Sequence, residues 1–573
     1  MQDTLALAVK AALGRLPDLP VDFNPAAVEV EFQTPNDPSH GDLATNVALQ
    51  LARPLRRSPR AIADAIARHI KVNPSRVAAV EVAGPGFLNI RFASTHLILG
   101  LAEVLEQGES YGRVDDHADQ TAIVEYVSAN PTGPLTVGHG RNAVLGDTIA
   151  NLLDWTGYDV TREYYFNDAG RQMRVLGQSV RARYEGIIRP DTTTKTLDDG
   201  TVVPESFPDD GYRGEYITEI AQALAEERGD ELLMADDESP FKEAAERAVF
   251  IEIDVTLKRL GIEMDSTFNE RSVCEGDPAP IWDVIDGLRQ QNLAFDKDGA
   301  VWFKTSALGK TVIVDGEEVG KDTVLVKSSG EPTYRLPDIA YHLDKLSRAE
   351  LVLDVFGADH IAAYPDVIRG VRVLVGDEAA DRIEVVVYQF VTLVRGGQPV
   401  KMSTRKADFV TLDELMDEVG EDVTRFFFLM RAPGTHLEFD LDLAKEGSEK
   451  NPVFYLQYAH ARIASIERKA AEAGLSADGA DLNLLTHESE EALVKTLLQF
   501  PNEICSAADA RAPHKLATYL RDVATAFSAF YRDCRVVGEE TPLRTARLAL
   551  AQASGIVLKN GLAILGIDAP EQM

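Results

Sequence analysis

Cysteine is scarce. The 573-residue chain has three, Cys274, Cys505 and Cys534. They are scattered, with no C-x-x-C pair, which argues against a disulfide framework or a structural zinc and points to a reducing, cytoplasmic setting. Long apolar runs are also missing. No stretch approaches the roughly 20 residues needed to span a bilayer, so no membrane association is expected. Met1-Gln2-Asp3-Thr4 lacks the basic start of a signal peptide, and Leu5, Val9, Leu13 and Leu16 recur as on an amphipathic helix. Internal repeats and low-complexity tracts are absent.

Positive charge is in deficit: 58 Lys and Arg face 92 Asp and Glu, a net −34. A nucleic-acid binder needs cations against phosphate, so this balance looks wrong for one until its distribution is read. Residues 1–115 carry 11 basic and 13 acidic residues, and residues 451–573 carry 12 and 15. The excess therefore sits in residues 116–450, leaving two near-neutral ends where basic patches can form. An acidic middle suits a salt-rich cytoplasm, where screening weakens like-charge repulsion.

What the chain does have is length for three or more domains and one telling segment. The β-branched run Thr121–Val127 reads as a strand. Val144, Leu145, Thr148, Ile149, Leu152 and Leu153 then fall on one helix face. Between them lies Ser128-Ala129-Asn130-Pro131-Thr132-Gly133-Pro134-Leu135-Thr136-Val137-Gly138-His139-Gly140-Arg141-Asn142. This is a Pro/Gly turn feeding a helix start. Glycines permit close backbone approach, and free N–H groups at a helix N-terminus attract phosphate. Far downstream, Lys401-Met402-Ser403-Thr404-Arg405 forms a second phosphate-type motif after the Gly396-Gly397 turn.

Elsewhere, helical patterns cover residues 3–16, 42–52 and 59–71, and residues 80–92 read as two strands around Gly84-Pro85-Gly86. Residues 118–185 alternate strand and helix, the signature of a parallel sheet with crossover helices. A polar stretch at 189–216 reads as an exposed insertion and 215–292 as mostly helical. Strand runs return at 322–328, 351–356 and 383–389, and 450–573 is helical.

The two motifs resemble the HIGH and KMSKS signatures of class I aminoacyl-tRNA synthetases. Their flanks sharpen the likeness to the arginyl-tRNA synthetase family: SANPTGPLTVGHGRNAVLGD, TYRLPDIAYH, DEVGEDVTRFFFLMRAPGTHLEFDLDLA, NPVFYLQYAHARI and the final LGIDAPEQM. The resemblance runs from about residue 25 to the last residue. It implies a multidomain α/β protein: an α+β N-terminal additional domain at 1–115 that contacts the tRNA D-loop; a Rossmann-type parallel-sheet catalytic domain at 116–400, with a helical connective insertion at about 187–295; a KMSKS-like loop and stem-contact segment at 401–450; and an all-α anticodon-binding domain at 451–573.

The resemblance also implies the chemistry: ATP-dependent formation of arginyl-adenylate, then transfer to the 3′-terminal adenosine of tRNA(Arg). Charge building on the leaving phosphates calls for fixed donors and cations rather than a covalent nucleophile. The HIGH-like region is Ala129 to His139. His139, Gly138, Gly140 and Asn142 would face ATP, as would Gly357, Asp359 and His360 after a strand run. Thr136 stands where the motif's first His belongs; it can donate a hydrogen bond but carries no charge. Lys401, Met402 and Ser403 match the second motif. Thr404 replaces its second Lys, and Arg405 is the nearest substitute cation. Glu125, Ser128 and Asn130 would serve the amino-acid end of arginine. Tyr334 and Asp338, four apart and so on one helix face, would serve its guanidinium, with Gln389 a further contact. Tyr455, Tyr458, Arg462, Arg532 and Arg535 would serve tRNA through stacking and phosphate contacts. The expected cofactor is Mg²⁺ with the ATP substrate, with no protein-held metal. A monomer is expected.

On the residues alone, other readings stay open. His139 is also placed to cap its helix, and Asp338 to complement a helix dipole. A cysteinyl-type ligase would need a Cys/His zinc. A catalytically inactive tRNA-binding paralogue would accommodate Thr136 and Thr404. A Rossmann oxidoreductase would need a G-x-G-x-x-G after the first strand, and none is there.

Overall fold

The apolar runs noted above assemble the centre of the molecule. The computed structural model describes all residues except Asn36, Ala169, Asp199, Asp315, 401–409 and 537–540. Five strands form its main sheet: β1 (Thr121–Glu125), β2 (Asp159–Phe166), β3 (Ser266–Asn269), β4 (Leu351–Gly357) and β5 (Ile383–Tyr388). Their spatial order is β5-β4-β1-β2-β3, with every neighbouring pair parallel. The two central strands are covered on both faces, so Ile123, Val124, Val352 and Leu353 are all buried and the sequence reads as continuous apolar runs. Strand order reverses between β1 and β4. Open α/β sheets bind ligands outside the carboxyl ends of the strands at that point.

Helix α1 (Val137–Trp155) follows β1, and α2 (Arg335–Arg348) precedes β4. Alpha-1 is buried along almost its whole length, wedged between the sheet and C-terminal helices. Gly146 makes this possible: a Cβ there would lie 2.2 Å from Cγ of Tyr126. The same core runs without a break from Leu97 through the sheet to Ile567, so the main sheet and the C-terminal helices are packed as one body.

In the N-terminal part, helices Gln2–Leu13 and Pro59–His69 cover a three-stranded antiparallel sheet, with Leu43–Thr45 and Val77–Ala83 flanking Phe87–Phe92. Residues 42–52, expected as one helix, split. Leu43–Thr45 pairs with Leu88–Ile90, a long-range contact that local periodicity does not encode, and only Val47–Gln50 is helical before the next turn. Helix Ser94–Gln107 leads out and docks on the C-terminal helix Thr541–Ile564, where Asn560 Nδ2 donates to the carbonyls of Gly108 and Tyr111.

The stretch 189–216 holds a small antiparallel ribbon, Thr194–Thr196 with Val202–Pro204, whose Val203 packs with Phe207 and Ala182. Beyond it, helices Glu215–Arg228 and Ser239–Arg259 pack on Gly170–Ile188. The helical reading of 215–292 omits β3, a short edge strand that completes the main sheet. From 450 on, five long helices account for the regular structure apart from one short 3₁₀ turn, and no strand occurs among the described residues.

Candidate active site

The turn after β1 is held in a conformation its residues would not choose alone. Val127 and Ser128 have φ of 64° and 38°. A β-branched residue in the left-handed region costs about 1–3 kcal/mol and persists only where the surroundings over-determine it. They do so here. Val127 N donates to Asn142 Oδ1 (2.6 Å), and Asn142 Nδ2 donates to Val355 O (2.8 Å). One amide from α1 thus stitches the ends of β1 and β4 at the switch point. Ser128 Oγ accepts from Tyr165 N (3.0 Å), and Tyr164 Oη donates to Ala129 O (2.6 Å). Tyr216, from the inserted helices, donates to Thr132 O. Asn130 is left exposed, while Leu135 is buried.

The turn delivers the chain into α1 through a reciprocal cap. Thr136 Oγ1 accepts from His139 N (3.5 Å), and His139 Nδ1 accepts from Thr136 N (3.1 Å). Capping and chemistry are therefore not rival roles for His139. Using Nδ1 as acceptor fixes the neutral tautomer with the proton on Nε2, which leaves Nε2–H free to donate. Burial lowers the pKa of His139, with Asp359 opposing. A neutral donor is what the environment favours. Of the two glycines, Gly138 has, among the described residues, Thr136 Oγ1 alone near its missing Cβ (3.7 Å). At Gly140 the space is filled by Leu412 (2.5 Å) and Phe428 (3.0 Å), so its lack of a side chain serves packing.

Lys401, Met402, Ser403 and Arg405 lie outside the described residues. Their flanks do not. Gln398–Pro399 closes a hairpin on Val391–Arg395, and Val400 N donates to Leu393 O (2.9 Å). On the other side, Thr411 forms an antiparallel bridge with Thr136. Leu412 N donates to Leu135 O (2.8 Å), and Val137 N to Val410 O (3.4 Å). Residues 410–412, the described flank downstream of the second motif, are thus anchored against the residues that open α1, beside His139.

Below this rim is a concentration of carboxylates. Glu125, at the end of β1, accepts from Lys345 Nζ (2.5 Å), which also donates to Asp354 (2.6 Å) on β4. Lys345 is fully buried, 4.0 Å over the Tyr341 ring. His342 sits between Asp354 Oδ2 and Asp338 O, 2.7 Å from each. Alpha-2 therefore docks on the sheet through charge. Asp338, one turn into α2, has no such partner among the described residues. Burial raises its pKa to about 7, helped by the negative charge of Glu125 and Glu270 and opposed by His342 and Lys345. Burial likewise raises Glu270 and Glu125. Tyr165 is buried with its hydroxyl within electrostatic reach of Asp338 and Glu270. Glu125 has Lys345, but Asp338 and Glu270, crowded and without an ion pair among the described residues, form a site that favours an incoming cation. Glu270 was not anticipated from the sequence; only its place just after the short strand β3 brings it here. Tyr334 lies at the start of α2, exposed, with the Arg335 guanidinium 4.9 Å over its ring.

Three family descriptions match successive parts of the chain: "Arginyl tRNA synthetase N terminal domain" over residues 2–92, "tRNA synthetases class I (R), catalytic domain" over 100–427 and "DALR anticodon binding domain" over 456–573. An arginine–tRNA ligase of Salinibacter ruber is 59% identical over 580 aligned positions, covering 100% of both chains. The chain belongs to the class I arginyl-tRNA synthetases. A Desulfotalea psychrophila arginine–tRNA ligase is 48% identical, covering 94% of each chain. The Thermus thermophilus arginyl-tRNA synthetase structure shares the fold, with a TM-score of 0.76, 23% identity and full coverage of both chains.

The remaining candidates of this synthetase spread over two regions. Asp359 and His360 follow β4, both exposed and 3.7 Å apart, and Asp359 Oδ1 would lie 2.5 Å from a Cβ on Gly357. Gln389 follows β5. Its carbonyl accepts from Arg141 (2.5 Å), a fully buried residue of α1 that also donates to Thr435 O and Ala432 O. Among the C-terminal helices, Arg462 lies 4.6 Å over the Tyr458 ring and 5.0 Å over Tyr531, and donates to Tyr458 Oη (2.8 Å). They line a cleft of about 1010 Å³ together with Arg468, Lys469 and Arg535. An acidic protein thus keeps a local basic cleft. Tyr455 is turned to Ser528 and Thr525 (3.3 and 3.4 Å), and the exposed Arg532 pairs with its neighbour Asp533. Among the described residues no group of three or more His, Cys, Asp or Glu is placed to hold a metal ion, and no helix is long and apolar enough to cross a membrane.

Proposed function

We infer that the protein joins L-arginine to tRNA(Arg) in the crevice between β1 and β4. A carboxylate oxygen of arginine attacks the α-phosphorus of ATP and pyrophosphate leaves. The terminal ribose hydroxyl of the tRNA then attacks the adenylate carbonyl and AMP leaves. In this reading Asp338 and Glu270 take the guanidinium, with Tyr334 and Gln389 at the rim. Glu125, Ser128 and Asn130 form the amino-acid end. His139 Nε2–H donates to the phosphates, and Gly138, Gly140 and Asn142 frame the helix start. Gly357, Asp359 and His360 lie on the nucleotide side. Lys401, Met402 and Ser403 would serve the triphosphate, with Arg405 as the cation in place of the absent lysine. Donors fixed before reaction stabilise the charge on departing pyrophosphate without reorganising. ATP would enter with Mg²⁺ held by its phosphates rather than by a protein cage.

The N-terminal part would contact the D-loop side of the tRNA, and the cleft around Tyr458 and Arg462 the anticodon side, in a monomeric cytoplasmic enzyme. The observation that carries the reading is the Thr136–Thr411 bridge, which brings the downstream flank of the second motif to the helix start of the first. The deciding experiment is aminoacylation of total tRNA with each of the twenty amino acids. Arginine alone should be accepted; no charging, or charging with another amino acid, overturns the assignment.

A further inference from the structure

Helix Glu421–Leu429 has one basic residue, Arg425, which precedes Phe426-Phe427-Phe428 and is 1% exposed. Each guanidinium nitrogen is spent on a different segment. Nε donates to Leu565 O (2.9 Å), Nη1 to Leu260 O (2.6 Å) and Nη2 to Asp147 Oδ2 (2.5 Å). Leu565 directly follows the last helix of the C-terminal region, Leu260 directly follows the inserted helix Ser239–Arg259, and Asp147 lies on α1. Arg425 itself belongs to the segment that follows the second motif. Four parts of the molecule therefore meet on one side chain. Asp147 lies about 12 Å along α1 from His139, at 1.5 Å per residue.

The contact with the C-terminal region is built for closeness. Gly566 has φ of +67°, and a Cβ on it would fall 2.2 Å from Arg425 Nη2. A second tether runs beside it: Asn151 Nδ2, also on α1, donates to Ile564 O (3.0 Å), while Arg162 Nη2 donates to Asn151 Oδ1. A third fixes the same tail, where Asp568 N donates to Asp422 Oδ1 (3.1 Å). All three tethers hold residues 564–568, the point where the anticodon-side helices end.

We propose that Arg425, supported by Asn151, is a positioning residue that couples occupancy of the C-terminal helices to the placement of His139 and of the segment after the second motif. Alpha-1 is a stiff element that has the reacting helix start at one end and the tail's tethers two to four turns along. A displacement of residues 564–568 thus shifts both motif flanks together. The inference rests on the proposed charging reaction.

The test compares full-length tRNA(Arg) with a short acceptor-stem helix that cannot reach the C-terminal helices. Charging of both is measured in the wild type, in Asn151→Ala and in Arg425→Lys, which keeps the charge but gathers its donors on one nitrogen, so it cannot span acceptors placed around the three nitrogens of a guanidinium. Both variants should lower kcat on full-length tRNA by tenfold or more while leaving kcat on the acceptor stem and KM for ATP and arginine within twofold. Equal losses on both substrates would mark a purely structural role and overturn the proposal, as would no loss on either. Should Arg425→Lys fail to fold, Asn151→Ala, which exposes no buried charge, decides alone. Failure of the wild type to charge tRNA at all would instead overturn the function.

Discussion

Binding of free arginine should depend on pH through Asp338, and the structure sets the size of the effect. The carboxyl's pKa stands at about 7 in the unoccupied site, against 3.8 in an unperturbed chain. A guanidinium pairs with the ionised form. At pH 6 only about one site in eleven is ionised, and at pH 8 about ten in eleven, so apparent affinity should rise about tenfold over that interval. Calorimetric titration with arginine at pH 6, 7 and 8 measures it. Asp338→Asn should bind more weakly and show a flat profile. Stability carries the same signature. The folded protein keeps this proton up to about pH 7, while the unfolded chain releases it near 3.8, so the contribution is present at low pH and is lost as pH rises through 7. At pH 8 the free site costs about 4 kcal/mol at most, since each pKa unit is worth 1.36 kcal/mol. Saturating arginine should therefore raise Tm more at pH 8 than at pH 6. A wild-type affinity that does not change between pH 6 and 8, or a variant that keeps the slope, would refute the role given to Asp338.

Replacing His139 with Ala should cut aminoacylation by orders of magnitude while circular dichroism stays native; a near-normal rate removes the Nε2–H donor from the mechanism. Gly146→Ala drives a methyl into Tyr126 and should cost about 1–3 kcal/mol, read as a lower Tm, whereas an unchanged Tm would mean that α1 can back away from β1. Molar KCl shortens the screening length from about 10 Å at 0.1 M to about 3 Å, so a chain with net charge −34 should gain both Tm and activity. No gain in either would detach the acidic composition from salt.

Much of the architecture was legible because local chemistry and tertiary context agree. Thr121–Val127, Asp159–Phe166 and Leu351–Phe356 are β-branched or aromatic runs bound for a covered sheet, and they supply β1, β2 and β4, although β1 stops at Glu125, before the turn at Val127. What escaped was set by distant partners. Leu43–Thr45 looks helical until Leu88–Ile90 pairs with it. Ser266–Asn269 is too short and polar to announce an edge strand, and with it Glu270 went unseen. The motifs located the helix start at His139, but not the cap that selects its tautomer. Arg425 left one trace, a lone cation in the run Thr424-Arg425-Phe426-Phe427-Phe428, which periodicity treats as a surface position. Its burial comes from three acceptors supplied by residues more than a hundred positions away.

Asn142 bridges Val127 and Val355 through the two ends of one planar amide. The gap between the middle strands is therefore gauged by bond lengths rather than by adjustable packing. If arginine binds in that crevice as proposed, a jaw held this way would resist widening for a bulkier guest, and discrimination among amino acids would fall to the charged floor.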